Sequence, residues 1–190
     1  IVNMIDLKQG MIFPKPQMKV PHAYHSIEYL ENYECLVVVG GRNENYYCEI
    51  YDIFANQWKL LPNLNYCRYN ANIVFNSFAG EIYVLFGMLD NGRNTDIIEL
   101  LELKDIKGGW VKIDYVKTAL FDLQLNYCKV VQFNSQKLLI YGANDYRNEK
   151  KRFALYLLDK NEIVKVEDES DKAEIALFEK EGRNGEGGTL

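Results

Sequence analysis

The chain has 190 residues, a formal net charge of −5, and 48% hydrophobic, 26% charged and 13% aromatic residues. This is an ordinary balance for a globular protein, and the acidic sum argues against the basic footprint of a nucleic-acid binder. No apolar run reaches the ~20 residues of a membrane-spanning helix, and no secretory leader is visible.

In chain order, residues 2–7 and 11–13 read as two strands joined by Lys8-Gln-Gly10. They look like the last two strands of a unit begun earlier. A first full unit follows, with strands at 25–30, 35–41, 49–53 and 58–61. A second has strands at 71–75, 81–87, 98–103 and 110–113. A third has strands at 127–133, 137–142, 154–159 and 162–166. β-Branched and aromatic residues dominate these runs, and rings pack well on a pleated face. The turns before the last strands carry Asn and Gly, which tolerate positive φ. No dozen-residue helical pattern separates the strands before residue 169, so a βαβ arrangement is excluded.

The three units are versions of one another. Gly41, Gly87 and Gly142 stand 46 and 55 residues apart, and Trp58 and Trp110 stand 52 apart. Leu64-Asn-Tyr-Cys-Arg68 nearly repeats as Leu125-Asn-Tyr-Cys-Lys129, which puts Cys67 and Cys128 at one repeat position. A period near 50 with four short strands per unit predicts an all-β chain of β-propeller blades. The boundaries are 1–13 for the end of a preceding blade, 14–62, 63–113 and 114–166 for three blades, and 167–190 for a tail or the start of a further blade. A blade cannot bury both faces alone, so the visible chain is expected to be part of a larger propeller. The tail opens on the acidic run Glu167-Asp-Glu-Ser-Asp171. A stretch at 172–180 that suits a short helix or an opening strand follows, and then a glycine-rich end.

These residues resemble the kelch-repeat family of β-propellers. The likeness is carried by Val37-Val-Val-Gly-Gly41, Ile50-Tyr-Asp52, and Trp58 with Leu61-Pro62. Arg68 stands where the family has an arginine before the first strand of a unit, and His22 and His25 precede the first strand of the unit before it. The second unit keeps only Gly87 of the glycine pair, and the third has Gly142-Ala143 and no tryptophan. Trp58 and Trp110 are expected to lie buried between blades.

No catalytic constellation is legible. The only histidines, His22 and His25, lack a neighbouring cysteine or carboxylate cluster in the sequence. Gly40-Gly41 is followed by no G-K-[ST] phosphate-loop signature. The four cysteines form no C-x-x-C pair, so they read as small buried hydrophobes in a reduced compartment rather than as zinc ligands or disulfides. Catalytic residues, a metal and a cofactor are therefore not expected.

What remains is surface. The loops after the second strands, 42–46, 89–94 and 144–148, all mix Asn, an acidic residue and Arg. Arg suits two-pronged recognition of a carboxylate. The candidate partner-binding residues are Arg42, Asn43, Asn45, Tyr46, Arg68, Asp90, Arg93, Asp145, Tyr146 and Arg147, with Arg42, Arg93 and Arg147 in equivalent loops on one face. The resemblance implies a non-catalytic cytoplasmic scaffold that binds a protein or peptide, with no nucleic acid or membrane partner, within a cytoskeletal or ciliary assembly or another large complex. The alternatives are an oxidase or lyase built on a propeller, and a substrate receptor of a ubiquitin ligase. The latter finds no BTB-like or F-box-like segment here.

Overall fold

The computed structural model describes residues 2–43, 46–117, 128–145, 148–166, 172–173 and 175–176. Among them the chain is all-β. Helical residues are confined to the short 3-10 turns Glu31–Tyr33 and Leu103–Gly108 and to residues 172–173 and 175–176.

Strands β1 (Val2–Asp6) and β2 (Met11–Lys15) form a two-stranded ladder. Strands β3 (Ser26–Leu30), β4 (Cys35–Val39), β5 (Cys48–Asp52) and β6 (Gln57–Leu61) form an antiparallel meander. Strands β7 (Asn72–Asn76), β8 (Glu81–Leu85), β9 (Ile98–Glu102) and β10 (Val111–Ile113) form a second. The third sheet contains β12 (Lys129–Asn134), β13 (Lys137–Asp145), β14 (Asn148–Leu157) and β15 (Glu162–Lys165). A further two-residue strand, β11 (Val116–Lys117), pairs parallel with the outer edge of β15. The sequence predicts four strands there. The fifth arises because the chain leaving β10 runs along the free backbone edge of β15, where Val116 N–H bonds the carbonyl of Asn161.

Register defines equivalent positions. Val38 lies opposite Glu49, Val84 opposite Glu99, and Ile140 opposite Ala154. On the first strands, Ser26 faces Val39, Asn72 faces Leu85, and Lys129 faces Tyr141. Two alignments made from the sequence are thereby corrected. Gly142 matches Gly40 and Phe86 rather than Gly41 and Gly87. Lys129 matches Asn72 rather than Arg68, so Cys128 matches Ala71 rather than Cys67. The repeated Leu-Asn-Tyr-Cys words mislead because the third unit has four fewer residues between them and its first strand.

The sheets stack face to face. Val37, Val39 and Leu61 of the first pack on Ile73, Ile82, Val84 and Trp110 of the second. Tyr83, Leu85 and Ile98 of the second pack on Leu138, Ile140, Ala154 and Tyr156 of the third. Strand alternation explains this: Ile82 and Val84 point one way, Tyr83 and Leu85 the other. Each such aliphatic chain, once buried, contributes about 1.5–3 kcal/mol. On the outer side of the first sheet, Val38, Tyr51 and Trp58 cover Val2 and Met18. On the outer side of the third, Leu139 and Leu155 are covered by Ile175.

Small devices recur with the repeat. Trp58 and Trp110 are each 5% exposed, and each indole N–H donates at 2.9 Å to the carbonyl of a proline just past the preceding unit's last strand, Pro16 and Pro62 respectively. The Tyr51 hydroxyl bonds Asn56 Oδ1 at 2.6 Å, and the Tyr156 hydroxyl bonds Asn161 Oδ1 at 2.8 Å. Those two asparagines take the positive φ their turns need, +51° and +49°. Trp110 itself precedes β10 rather than lying in it.

Candidate functional site

The first strands β3, β7 and β12 lie side by side without sharing a ladder, β3 against β7 and β7 against β12. The loops that lead into β3 and β7 and those that follow β4 and β8 are thereby gathered at one end. What fixes the lead-in loops is a buried glutamate on the third strand of each sheet. Glu49 Oε2 and Oε1 accept from the backbone N–H of Lys19 and Val20 at 2.7 and 2.8 Å, and Oε1 lies 3.3 Å from His22 Nε2. The other ring nitrogen of His22 sits 2.8 Å from the Gly40 carbonyl. In the second unit, Glu99 accepts from the backbone and side-chain amides of Asn65 at 2.7 and 2.9 Å and pairs with Arg68. Arg68 Nη1 reaches the carbonyl of Ile97 at 2.6 Å. These side chains are wholly enclosed. Burial pushes the Arg68 guanidinium below its ordinary pKa, and Glu99 pulls it back up. Arg68 Nε is the one buried side-chain N or O atom among the described residues left without a hydrogen-bond partner.

Arg68 is therefore corrected as a partner-binding residue. It is 1% exposed and its charge is spent on Glu99. An arginine ahead of a strand reads alike in sequence whether it faces solvent or a buried carboxylate. The carboxylate half of the pair was missed. Its signal was a lone glutamate in matching apolar strands, Cys48-Glu-Ile-Tyr and Ile98-Glu-Leu-Leu. The third unit has Ala154 at that place.

The glycine pair makes the sharp exit from β4. Gly40 has φ +63°, and a Cβ there would meet the Arg68 carbonyl at 2.5 Å. In the second unit Phe86 takes the same left-handed conformation, φ +60°, with its ring in the core between the second and third sheets. Burial of that ring offsets the cost of the backbone.

After the exit, three consecutive amides are tied to three different segments. Gly41 N–H donates to the carbonyl of Arg68 at 2.9 Å, Arg42 N–H to that of Ala23 at 2.8 Å, and Asn43 N–H to Asp90 Oδ1 at 3.0 Å. The Arg42 guanidinium carbon lies 5.9 Å from the Tyr24 ring centre and 5.8 Å from that of Tyr69. The two rings meet edge to face at 6.2 Å. Tyr24 is 59% exposed and holds φ +57°, with its carbonyl fixed by Asn70 N–H.

The structure thus brings Arg42, Asn43 and Asp90 together, all exposed, at the meeting of the first two loops. Tyr46 is exposed in the same loop and tilts against Tyr47. Arg93 is exposed in a turn closed by Leu89 N–H to its carbonyl at 2.8 Å. The third loop is a correction. The β13–β14 ladder continues past Gly142, which pairs with Arg152, to Asp145 opposite Asn148. Ala143 stands where the other units have the second glycine, and the strand runs on instead of breaking. Asp145 therefore sits within a strand. Asn45, Tyr146 and Arg147 lie outside the described residues.

Along the inner strands a groove of about 530 Å³ is lined by His25, Ser26, Asn72, Cys128 and Lys129 at the loop end. A smaller cavity of about 260 Å³ touches Glu28, Glu31 and Gln132 toward the other end. Burial and the neighbouring His22 lower the pKa of His25, and burial raises that of Glu28. Burial pushes the Cys48 and Cys128 thiols up to about 12.

No family model matches the chain, and the curated proteins give no match. Among the described residues no helix is long and apolar enough to cross a membrane.

Proposed function

We propose that the chain is part of a kelch-type β-propeller, with three blades following the last two strands of another, and that it serves as a non-catalytic scaffold binding a protein partner through its loop end. The observation that carries the reading is the repeated meander with its first strands set side by side. That arrangement gathers loops from successive units into one surface. The composition of that end supports the second half: Arg42 with exposed Tyr24, Tyr46 and Tyr47 is the residue mix favoured at protein interfaces. A cytoplasmic, cytoskeletal or ciliary setting rests on the kelch resemblance.

The opposite end carries its own bulky exposed groups, Phe54 at 84% and Phe78 at 73%. Photo-crosslinking separates the two ends. A photoreactive amino acid is placed at Tyr46, or at Phe54 or Phe78, in the protein at its natural length in native extract. The reading expects partner adducts from position 46 and none above background from 54 or 78. Adducts from the far end alone, or from neither, contradict it.

A further inference from the structure

We propose that Arg42, seated against Tyr24 and Tyr69, is the carboxylate-recognition point of the loop end, and that the segment it takes is an extended stretch of a partner protein presenting an Asp or Glu side chain. The proposal rests on the scaffold reading above.

Three observations point the same way. The guanidinium lies over both tyrosine rings, at 5.9 and 5.8 Å. Rings engage the face of the guanidinium plane, and the N–H donors radiate within that plane, so the edge is left to receive the two oxygens of a carboxylate. Among the described residues no carboxylate ion-pairs with Arg42, whereas Arg68, Lys59, Lys104 and Lys112 each have one.

The second observation is preorganisation. Arg42 has its own amide tied to Ala23, and the amides on either side are tied to Arg68 and Asp90. A side chain already held by rings and backbone loses less freedom on binding than a free surface arginine. The third is strain. Tyr24 keeps a left-handed backbone while most of its ring faces solvent. A buried ring would repay that conformation through packing, as Phe86 does. Tyr24 gains only the Arg42 and Tyr69 contacts, and an exposed residue held in a costly conformation marks a working surface.

The test uses the natural-length protein as bait for phage-displayed random twelve-residue peptides, followed by fluorescence polarisation with the most enriched sequence. The expected result is enrichment of peptides carrying Asp or Glu. Affinity should drop at least about ten-fold in Arg42→Ala, as for loss of a charge-assisted hydrogen-bonded pair, and several-fold in Arg42→Lys, which keeps the charge and loses the fork. Arg93→Ala should bind as the parent does. The Lys variant guards against a loss caused by misfolding. Enriched peptides without an acidic residue, or equal binding to Arg42→Ala, overturn the carboxylate site and leave the scaffold reading standing. Failure to enrich any peptide overturns this proposal too, and the photo-crosslinking outcome then judges the scaffold reading separately.

Discussion

Glu49 and Glu99 occupy one repeat position, opposite Val38 and Val84, and each turns a buried carboxylate onto the loop that leads into its own sheet. The basic partner differs, His22 in one unit and Arg68 in the next, yet the backbone amides it shares the carboxylate with are the same kind of contact. Each glutamate therefore bolts the crossing from one sheet to the next. The loop end is a rigid platform because its roots are held from inside.

The Arg68–Glu99 pair makes the first prediction. Glu99→Ala leaves a buried guanidinium without its counter-charge and should cost roughly 3–5 kcal/mol in urea unfolding. Replacing both, as Arg68→Leu with Glu99→Ala, should cost less than the sum of the single changes by about 0.5–3 kcal/mol. The third unit already carries Ala154 at the glutamate's position, which shows that an apolar residue can fill it. Costs that simply add would mean that the two side chains do not act on each other.

Trp58→Ala and Trp110→Ala should each cost about 3–5 kcal/mol, the range for truncating a large buried ring. Each would also strand a proline carbonyl, Pro16 or Pro62. Denaturant melts showing a loss below about 1 kcal/mol would mean that the rings do not join neighbouring units.

The all-β fold and the strand order were legible because period-two runs and turn residues repeat three times. The tryptophans were legible as blade-to-blade packing for the same reason. The buried ion pairs were not. His22 and Arg68 stand far in sequence from Glu49 and Glu99, and only the fold brings the halves together. Phe86 hid the equivalence of the two strand exits, since a non-glycine residue at positive φ leaves no mark in composition. The third unit misled most. Its copied Leu-Asn-Tyr-Cys words drew the alignment four residues out of register, and Gly142 looked like a strand end although its ladder continues. On the loop face, Arg42 and Asn43 were found from their loop chemistry. The part played by Tyr24 and Tyr69 was missed, because it depends on two lead-in loops meeting a third segment.

Thiol reactivity tests the burial of two cysteines. With pKa values pushed up to about 12, Cys48 and Cys128 are almost wholly protonated at pH 8. About one molecule in 10⁴ carries the reactive thiolate. Both should stay silent toward a disulfide reagent in the native protein and react on denaturation, as read by peptide mapping. Labelling of either in the native state at the rate of a free thiol would contradict the packing.

His25 gives a pH dependence with a fixed sign. Its folded pKa is depressed below 6.5 by burial first and by His22 second. The unfolded chain therefore binds the proton more tightly. The contribution is fully present above 6.5 and is lost as pH falls from 6.5 through the folded value. The melting temperature of the parent minus that of His25→Gln should decline over that acid window and stay flat above it. A difference that grows on acidification would reverse the assignment.

The central claim is that these sheets are successive blades around one axis. The measurement that tests it most directly is an experimental density map of the natural-length protein. The account predicts β3, β7 and β12 as consecutive innermost strands lining a single channel, with the loops bearing Arg42 and Arg93 at the same mouth of it. A map in which the sheets stack as flat layers, or in which those strands lie at the outer rim, would contradict it.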